Sequence, residues 1–61
     1  MKIGTLIYEA RRKANLSQLM LAQLAKVSSG DISRIENHKL KTGTTVDKLI
    51  EYLKIDENAI S

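Results

Sequence analysis

The sequence predicts an all-α fold, a compact five-helix bundle arranged around a central helix-turn-helix at about residues 17 to 37. Three observations carry this reading. Two helical patterns meet within residues 16 to 37 across a break of about three residues, each announced by a start signal, Ser17 for one and Ser28 for the other. Further helical spacing flanks them, with Ile3, Ile7, Ala10 and Ala14 upstream and Val46, Leu49, Ile50 and Leu53 downstream. A link so short leaves no room to reverse the chain, so the central pair must cross steeply.

Taken in order, the first helix runs from residue 3 to about 13 and ends before Asn15, a residue that tolerates positive φ and suits a left-handed cap. The second extends from about Ser17 to Ala25, with Leu21, Ala22, Leu24 and Ala25 forming its buried face. The third, Ser28 to Asn37, opens on a capping box in which Ser28 and Asp31 satisfy the first backbone amides. At about 100° per residue, Ser28, Ile32 and Ile35 point one way and Gly30, Ser33, Arg34 and Asn37 the other. A loop, Asn37 to Thr44, leads to a fourth helix with a second box-like start, Thr44 to Asp47. Ile55, Asp56, Ala59 and Ile60 suggest a final short helix.

A chain of 61 residues makes one domain, 1 to 61, close to the lower limit for a single core. A chain of this size buries only about 60% of its unfolded surface. No catalytic cleft of ordinary size fits. The lack of cysteine removes disulfides and thiolate metal sites and suits a reducing cytoplasm. The first apolar run is broken by Gly4, Thr5 and Glu9, which argues against a signal peptide, and no stretch approaches the roughly 18 apolar residues of a membrane span. Charge is distributed unevenly. Residues 1 to 43 hold eight Lys or Arg against three acids, whereas residues 44 to 61 hold two against four. The basic part contains the helix-turn-helix, as expected of a protein that presents one end to a polyanion.

The spacing Leu16-Ser17-Gln18, Leu21-Ala22, Ala25, Val27-Ser28, Ile32-Ser33, Ile35-Glu36 resembles the helix-turn-helix of the phage-repressor and Cro-like (XRE) family. The likeness extends upstream to Ile3, Gly4, Ile7 and Arg11 and downstream to Leu49, Leu53 and Ile55. It implies a lambda-repressor-like DNA-binding fold and pairs Arg11 with Glu36 as a brace between the first helix and the reading helix. It also implies that Gln18 contacts phosphate or supports a base contact from the start of the second helix, where Ser17 and the free amides lie. The alternative is an exposed first-turn glutamine. Asn37, Lys39, Lys41 and Thr42 match the family's phosphate-gripping segment. This chain departs from the pattern at Lys26 and His38, where the family commonly has glycine, and at Leu6, Leu19 and Met20, where polar residues are usual. Those three apolar residues serve either added core packing or an exposed contact patch.

On the third helix Ser29, Gly30, Ser33 and Arg34 are the candidate base-contacting positions. Gly30 permits close backbone approach, and Ser29 and Ser33 offer hydroxyls to a base edge or a phosphate. Arg34 is either a bidentate reader of guanine, the commonest specific pairing, or a phosphate clamp. Asp31 would repel phosphate if it faced DNA, which favours its capping role over acceptance from cytosine N4. The resemblance also implies a two-fold contact between copies at this end of the domain, with Tyr52, Ile55, Ala59 and Ile60 as its candidates and core packing as the other explanation.

These readings lead to sequence-specific binding of double-stranded DNA by a cytoplasmic, nucleoid-associated regulator. The expectation is a repressor that works as a dimer on a pseudo-palindromic operator. The alternative is a protein-interaction module whose partner, such as a toxin, an anti-repressor or polymerase, meets Leu6, Leu19 and Met20. One histidine, no cysteine, no phosphate-cradling glycine loop and no paired-acid cleft argue against an enzyme and against any cofactor or metal.

Overall fold

In the computed structural model, which describes residues 1 to 61, four α-helices and one short 3₁₀ turn account for the regular structure. The helices are α1 (Ile3–Lys13), α2 (Gln18–Ala25), α3 (Ser29–Glu36) and α4 (Thr44–Leu53), and the turn is Glu57–Ala59. The expected fifth helix is therefore only that turn. Ala59 N–H donates to the Asp56 carbonyl and Ile60 N–H to that of Glu57, while the Asp56 side chain takes the Asn58 amide. No helix is long and apolar enough to cross a membrane.

The core consists of Ile3, Ile7, Leu21, Ala22, Ile32, Ile35, Val46 and Leu49, two residues from each helix. Leu16, Ala25, Val27, Leu40, Ile50, Leu53, Ile55 and Ile60 pack around it, partly buried. α1 and α2 both lie against α3, which puts the third helix at the centre of the packing with one side left over. Two expected core residues lie outside. Leu24 is 51% exposed and Ala14 is exposed, because the buried stripes of α2 and α1 are narrower than the apolar pattern suggests. Gly4 and Arg11 take part of the buried side of α1 instead.

All four helices stop in the same way. A residue with positive φ follows the last turn, Asn15 (60°), Lys26 (60°), His38 (63°) and Lys54 (55°), and none of them is glycine. The next residue's amide then reaches back five positions: Leu16 to Arg11, Val27 to Ala22, Lys39 to Arg34 and Ile55 to Ile50. This is the six-to-one bond of a Schellman motif, in which an apolar residue after the left-handed one packs back on the helix. Leu16, Val27 and Ile55 fill that place and lie against the core.

Helix starts differ from expectation more than helix ends do. Ser17 accepts the Met20 amide at 3.0 Å and caps α2. Ser28 precedes α3 but makes no side-chain cap, and it is exposed rather than directed toward the core. The expected Ser28 to Asp31 box is absent because the Asp31 carboxylate has stronger partners, a guanidinium and a hydroxyl. The Thr44 to Asp47 box is also absent. The α4 N-cap is Gly43 at φ 121°, a backbone conformation that glycine alone adopts readily, so Thr44 is already inside the helix.

Candidate nucleic-acid interface

α2 and α3 are separated only by Lys26, Val27 and Ser28. The left-handed Lys26 turns the chain and Val27 seals the corner, its amide bonded to the Ala22 carbonyl at 2.9 Å. α3 then divides cleanly around its circumference. Ile32 and Ile35 are fully buried. Gly30, Arg34 and Asn37 project from the opposite side and are exposed, with Ser33 half-buried among them and Ser29 half-buried at the edge. No other element covers this face.

The helix is held in that attitude from its C-terminal end. Arg11 Nε and Nη2 donate to the two Glu36 carboxylate oxygens at 2.8 and 3.0 Å, and Arg11 Nη1 donates to the Leu16 carbonyl at 2.8 Å. Both side chains are largely withdrawn from solvent, 8% and 7% exposed. The hydrogen bond to Glu36 raises the Arg11 guanidinium above its ordinary value; burial opposes the shift, and the charges of Glu36 and Tyr8 reinforce it. Arg11 also lies over the Tyr8 ring, 5.3 Å from its centre.

Gln18 joins the same group. Its Nε2 donates to Glu36 at 3.0 Å, so the amide group that would have faced a phosphate is turned inward and links the first turn of α2 to the last turn of α3. Ser17 remains exposed, its hydroxyl oxygen engaged as the α2 cap. Asn37 Nδ2 donates to the Ser33 carbonyl at 2.8 Å and, more weakly, to the Ser33 hydroxyl at 3.4 Å. Lys39, Lys41 and Thr42 follow on the loop, all exposed. The basic loop thus follows directly on the C-terminal end of α3.

Arg34 is exposed but not unpartnered. Its Nη1 lies 2.6 Å from Asp31 Oδ1, one helical turn back. The other Asp31 oxygen accepts from Thr45 Oγ1 at 3.2 Å, which connects the pair to α4. The sequence alone assigns Asp31 to the helix cap and to neither of these partners; the three-residue spacing of Asp31 and Arg34 was the signal for the first, whereas nothing local aligns residue 45 with residue 31. Gly30 adds an open surface: a Cβ there would meet only Ser28 Oγ at 3.5 Å and Arg34 Nη1 at 3.9 Å. Packing within the chain does not require glycine at this position.

The remaining candidates lie elsewhere. Tyr52 is 44% exposed on α4, and Ala59 is exposed. Ile55 and Ile60 are partly buried against the core, which accounts for their apolar character without a second copy. Leu19 and Met20 stand out from α2 at 60% and 48% exposure, whereas Leu6 is half-buried.

No curated protein and no solved structure matches the chain. A family model does. Residues 4–60 match that of a helix-turn-helix domain, a span that takes in all four helices apart from Ile3 and includes the pairing of Arg11 with Glu36. With α2 and α3 packed together across a three-residue turn and the match running through nearly the whole chain, this protein belongs to the helix-turn-helix domain family.

Proposed function

We propose that this chain binds double-stranded DNA sequence-specifically, as a transcriptional regulator of the phage-repressor and Cro-like kind, with α3 in the major groove. The observation that carries the reading is the division of α3, in which Ile32 and Ile35 are fully buried and Gly30, Arg34 and Asn37 are exposed. Ser29, Gly30, Ser33 and Arg34 meet base edges, and Ser17, Asn37, Lys39, Lys41 and Thr42 grip the phosphates on either side. Gln18 serves by bracing α3 through Glu36. The module acts as a binding protein rather than an enzyme, without cofactor, in the cytoplasm. One copy of such a module buries roughly 600 to 1,000 Å² on DNA, so tight binding at cellular salt calls for two copies on a pseudo-palindromic operator, with half-sites about 34 Å apart. A dimer so placed represses by blocking access to a promoter.

The test is selection of bound duplexes from a random library with the wild-type chain and with Arg34→Ala. Loss of one preferred base per half-site identifies Arg34 as a base reader, and uniform weakening makes it a phosphate contact. Failure to enrich any sequence with the wild-type chain rejects the proposal.

The exposure of Leu19 and Met20 favours a second, compatible reading, that α2 also docks a protein partner. Leu19→Gln with Met20→Gln separates the two: retained DNA binding and retained fold with loss of a co-purifying partner supports the second surface.

A further inference from the structure

We infer that Asp31 is a specificity-determining positioning residue, which holds the Arg34 guanidinium in one orientation for a guanine edge and cancels its undirected attraction to phosphate. The inference rests on the DNA-binding reading of α3 given above. Both oxygens of the Asp31 carboxylate are engaged, one by Arg34 Nη1 at 2.6 Å and the other by Thr45 Oγ1 at 3.2 Å. The aspartate is therefore fixed from α4 as well as from its own helix. Its side chain is 30% exposed, against 61% for Arg34, so the anchor is sheltered while the group it holds reaches into solvent.

The chemistry of the pair follows from its inventory of donors. A guanidinium carries five N–H groups, and one bond from Nη1 leaves four, still enough for the two parallel bonds that read guanine O6 and N7. The contact also draws the guanidinium back over the first turn of α3, where a Cβ on Gly30 would lie only 3.9 Å from Nη1. A free arginine on a helix surface samples many rotamers and must give them up on docking, whereas one already held gives up fewer. Pairing also makes the two side chains neutral together. What remains of Arg34 toward DNA is directed hydrogen bonding, and the general pull on phosphate falls to Lys39 and Lys41 on the adjoining loop.

The two effects have opposite signs. Without Asp31 the arginine becomes a mobile, uncompensated cation, so binding to the preferred sequence weakens relative to other sequences while binding to arbitrary DNA strengthens. A residue that merely supported the fold would weaken both.

The experiment compares the full chain with Asp31→Ala, Thr45→Val, Arg34→Ala and the Asp31→Ala/Arg34→Ala double variant. Each is titrated by fluorescence anisotropy, over a salt series, against the duplex selected by the wild-type chain and against a shuffled duplex, with circular dichroism to verify folding. Asp31→Ala is expected to cut the preference for the selected duplex by about tenfold, within the range that one bidentate base contact supplies. Its salt slope on the shuffled duplex should steepen by about 1, as for one added phosphate contact. Thr45→Val should shift the preference in the same direction by less, and it tests the idea independently should Asp31→Ala unfold the chain. The double variant should discriminate no worse than Arg34→Ala. An Asp31→Ala variant that keeps the wild-type preference, or that weakens both duplexes alike, overturns the assignment. If the wild-type chain shows no preference, the DNA-reading role of α3 fails and Asp31 has nothing to position. If the wild type discriminates and Asp31→Ala does so equally, only the positioning role is lost.

Discussion

Arg11 and Glu36 stand 25 residues apart and meet through two nearly parallel hydrogen bonds of 2.8 and 3.0 Å, so the last turn of α3 is tied directly to α1. The pair is almost dry, and Glu36 also accepts from Gln18. Removing one member of such a pair leaves the other buried without its counter-charge, at a cost of about 3 to 5 kcal/mol. Small single cores rarely hold more than about 3 to 5 kcal/mol in total, so Arg11→Met is expected to be largely unfolded at room temperature by circular dichroism. The double variant Arg11→Met/Glu36→Leu, which buries no orphan charge, should recover much of the loss. The pH dependence has a definite sign. Because the folded guanidinium holds its proton more tightly than the unfolded one, its contribution is complete below the ordinary guanidinium range and is lost only as pH climbs through the raised value. Urea melts between neutrality and mild alkali should show no erosion of stability from this guanidinium.

The four left-handed helix ends offer a stabilising change. Lys26 sits at φ 60° and ψ 48°, and Lys54 at φ 55° and ψ 48°, where a Cβ costs roughly 1 to 2 kcal/mol. Glycine relieves this and loses part of the gain, about 0.5 to 1 kcal/mol, to the greater freedom of the unfolded chain. Lys54→Gly lies outside the proposed DNA face and should stabilise by about 0.5 to 1 kcal/mol. For a domain of this size that corresponds to a rise in Tm of a few degrees, on the basis of about 4 to 8 °C per kcal/mol. A fall in Tm would show that Lys54 makes a contact worth more than the strain.

Much of this architecture was readable from local signals. The core positions Ile3, Ile7, Leu21, Ala22, Ile32, Ile35, Val46 and Leu49 follow helical spacing. Asn15 is a residue type that suits a left-handed helix end, and the resemblance marks Lys26 and His38 as places where glycine is usual. What escaped was competition between partners. Ser28 and Asp31 have the spacing of a capping box, yet Asp31 is taken by Arg34 and by Thr45 from a helix that no local pattern connects to it. Thr44 yields the cap position to Gly43 because the loop enters α4 at φ 121°. The resemblance gives Gln18 a phosphate or base-supporting contact, and nothing local shows that Glu36, already drawn inward by Arg11, accepts from its amide. At the candidate interface the exposed face of α3 was therefore legible and the brace of Arg11 on Glu36 came with the resemblance, whereas the bonds from Gln18 to Glu36 and from Thr45 to Asp31 were not.

Gly4 lets α1 approach the backbone of α3 closely. A Cβ there would overlap the Ile35 carbonyl oxygen and stand 2.9 Å from His38 Nδ1. The imidazole could rotate aside, but the carbonyl belongs to the backbone of α3 and can move only if the helix moves with it. Overpacking of this kind costs about 1 to 3 kcal/mol or more. Gly4→Ala should therefore destabilise the chain although alanine favours helix, and urea denaturation followed at 222 nm would measure it. A neutral outcome would mean that α1 can slide on α3, and the brace through Arg11 and Glu36 would then have to lengthen.

The loop after α3 separates undirected attraction from reading. Lys39 is exposed, and its amide closes the α3 terminus on the Arg34 carbonyl at 2.8 Å, so its backbone is fixed at the end of α3 while its side chain is open to solvent. An ammonium is a compact point charge suited to phosphate rather than to a two-pronged base edge. Lys39→Gln should weaken binding to selected and shuffled duplexes by the same factor. It should also reduce the magnitude of the log affinity against log salt slope by about 1 for each copy bound. Arg34→Ala should do the reverse, lowering affinity for the selected duplex more than for the shuffled one. On the shuffled duplex its effect is the smaller, sequence-independent repulsion from an Asp31 carboxylate left without its counter-charge. Titrations of both variants over a salt series decide the matter. If Lys39→Gln alters base preference, or Arg34→Ala weakens both duplexes alike, the division of labour between loop and helix is wrong.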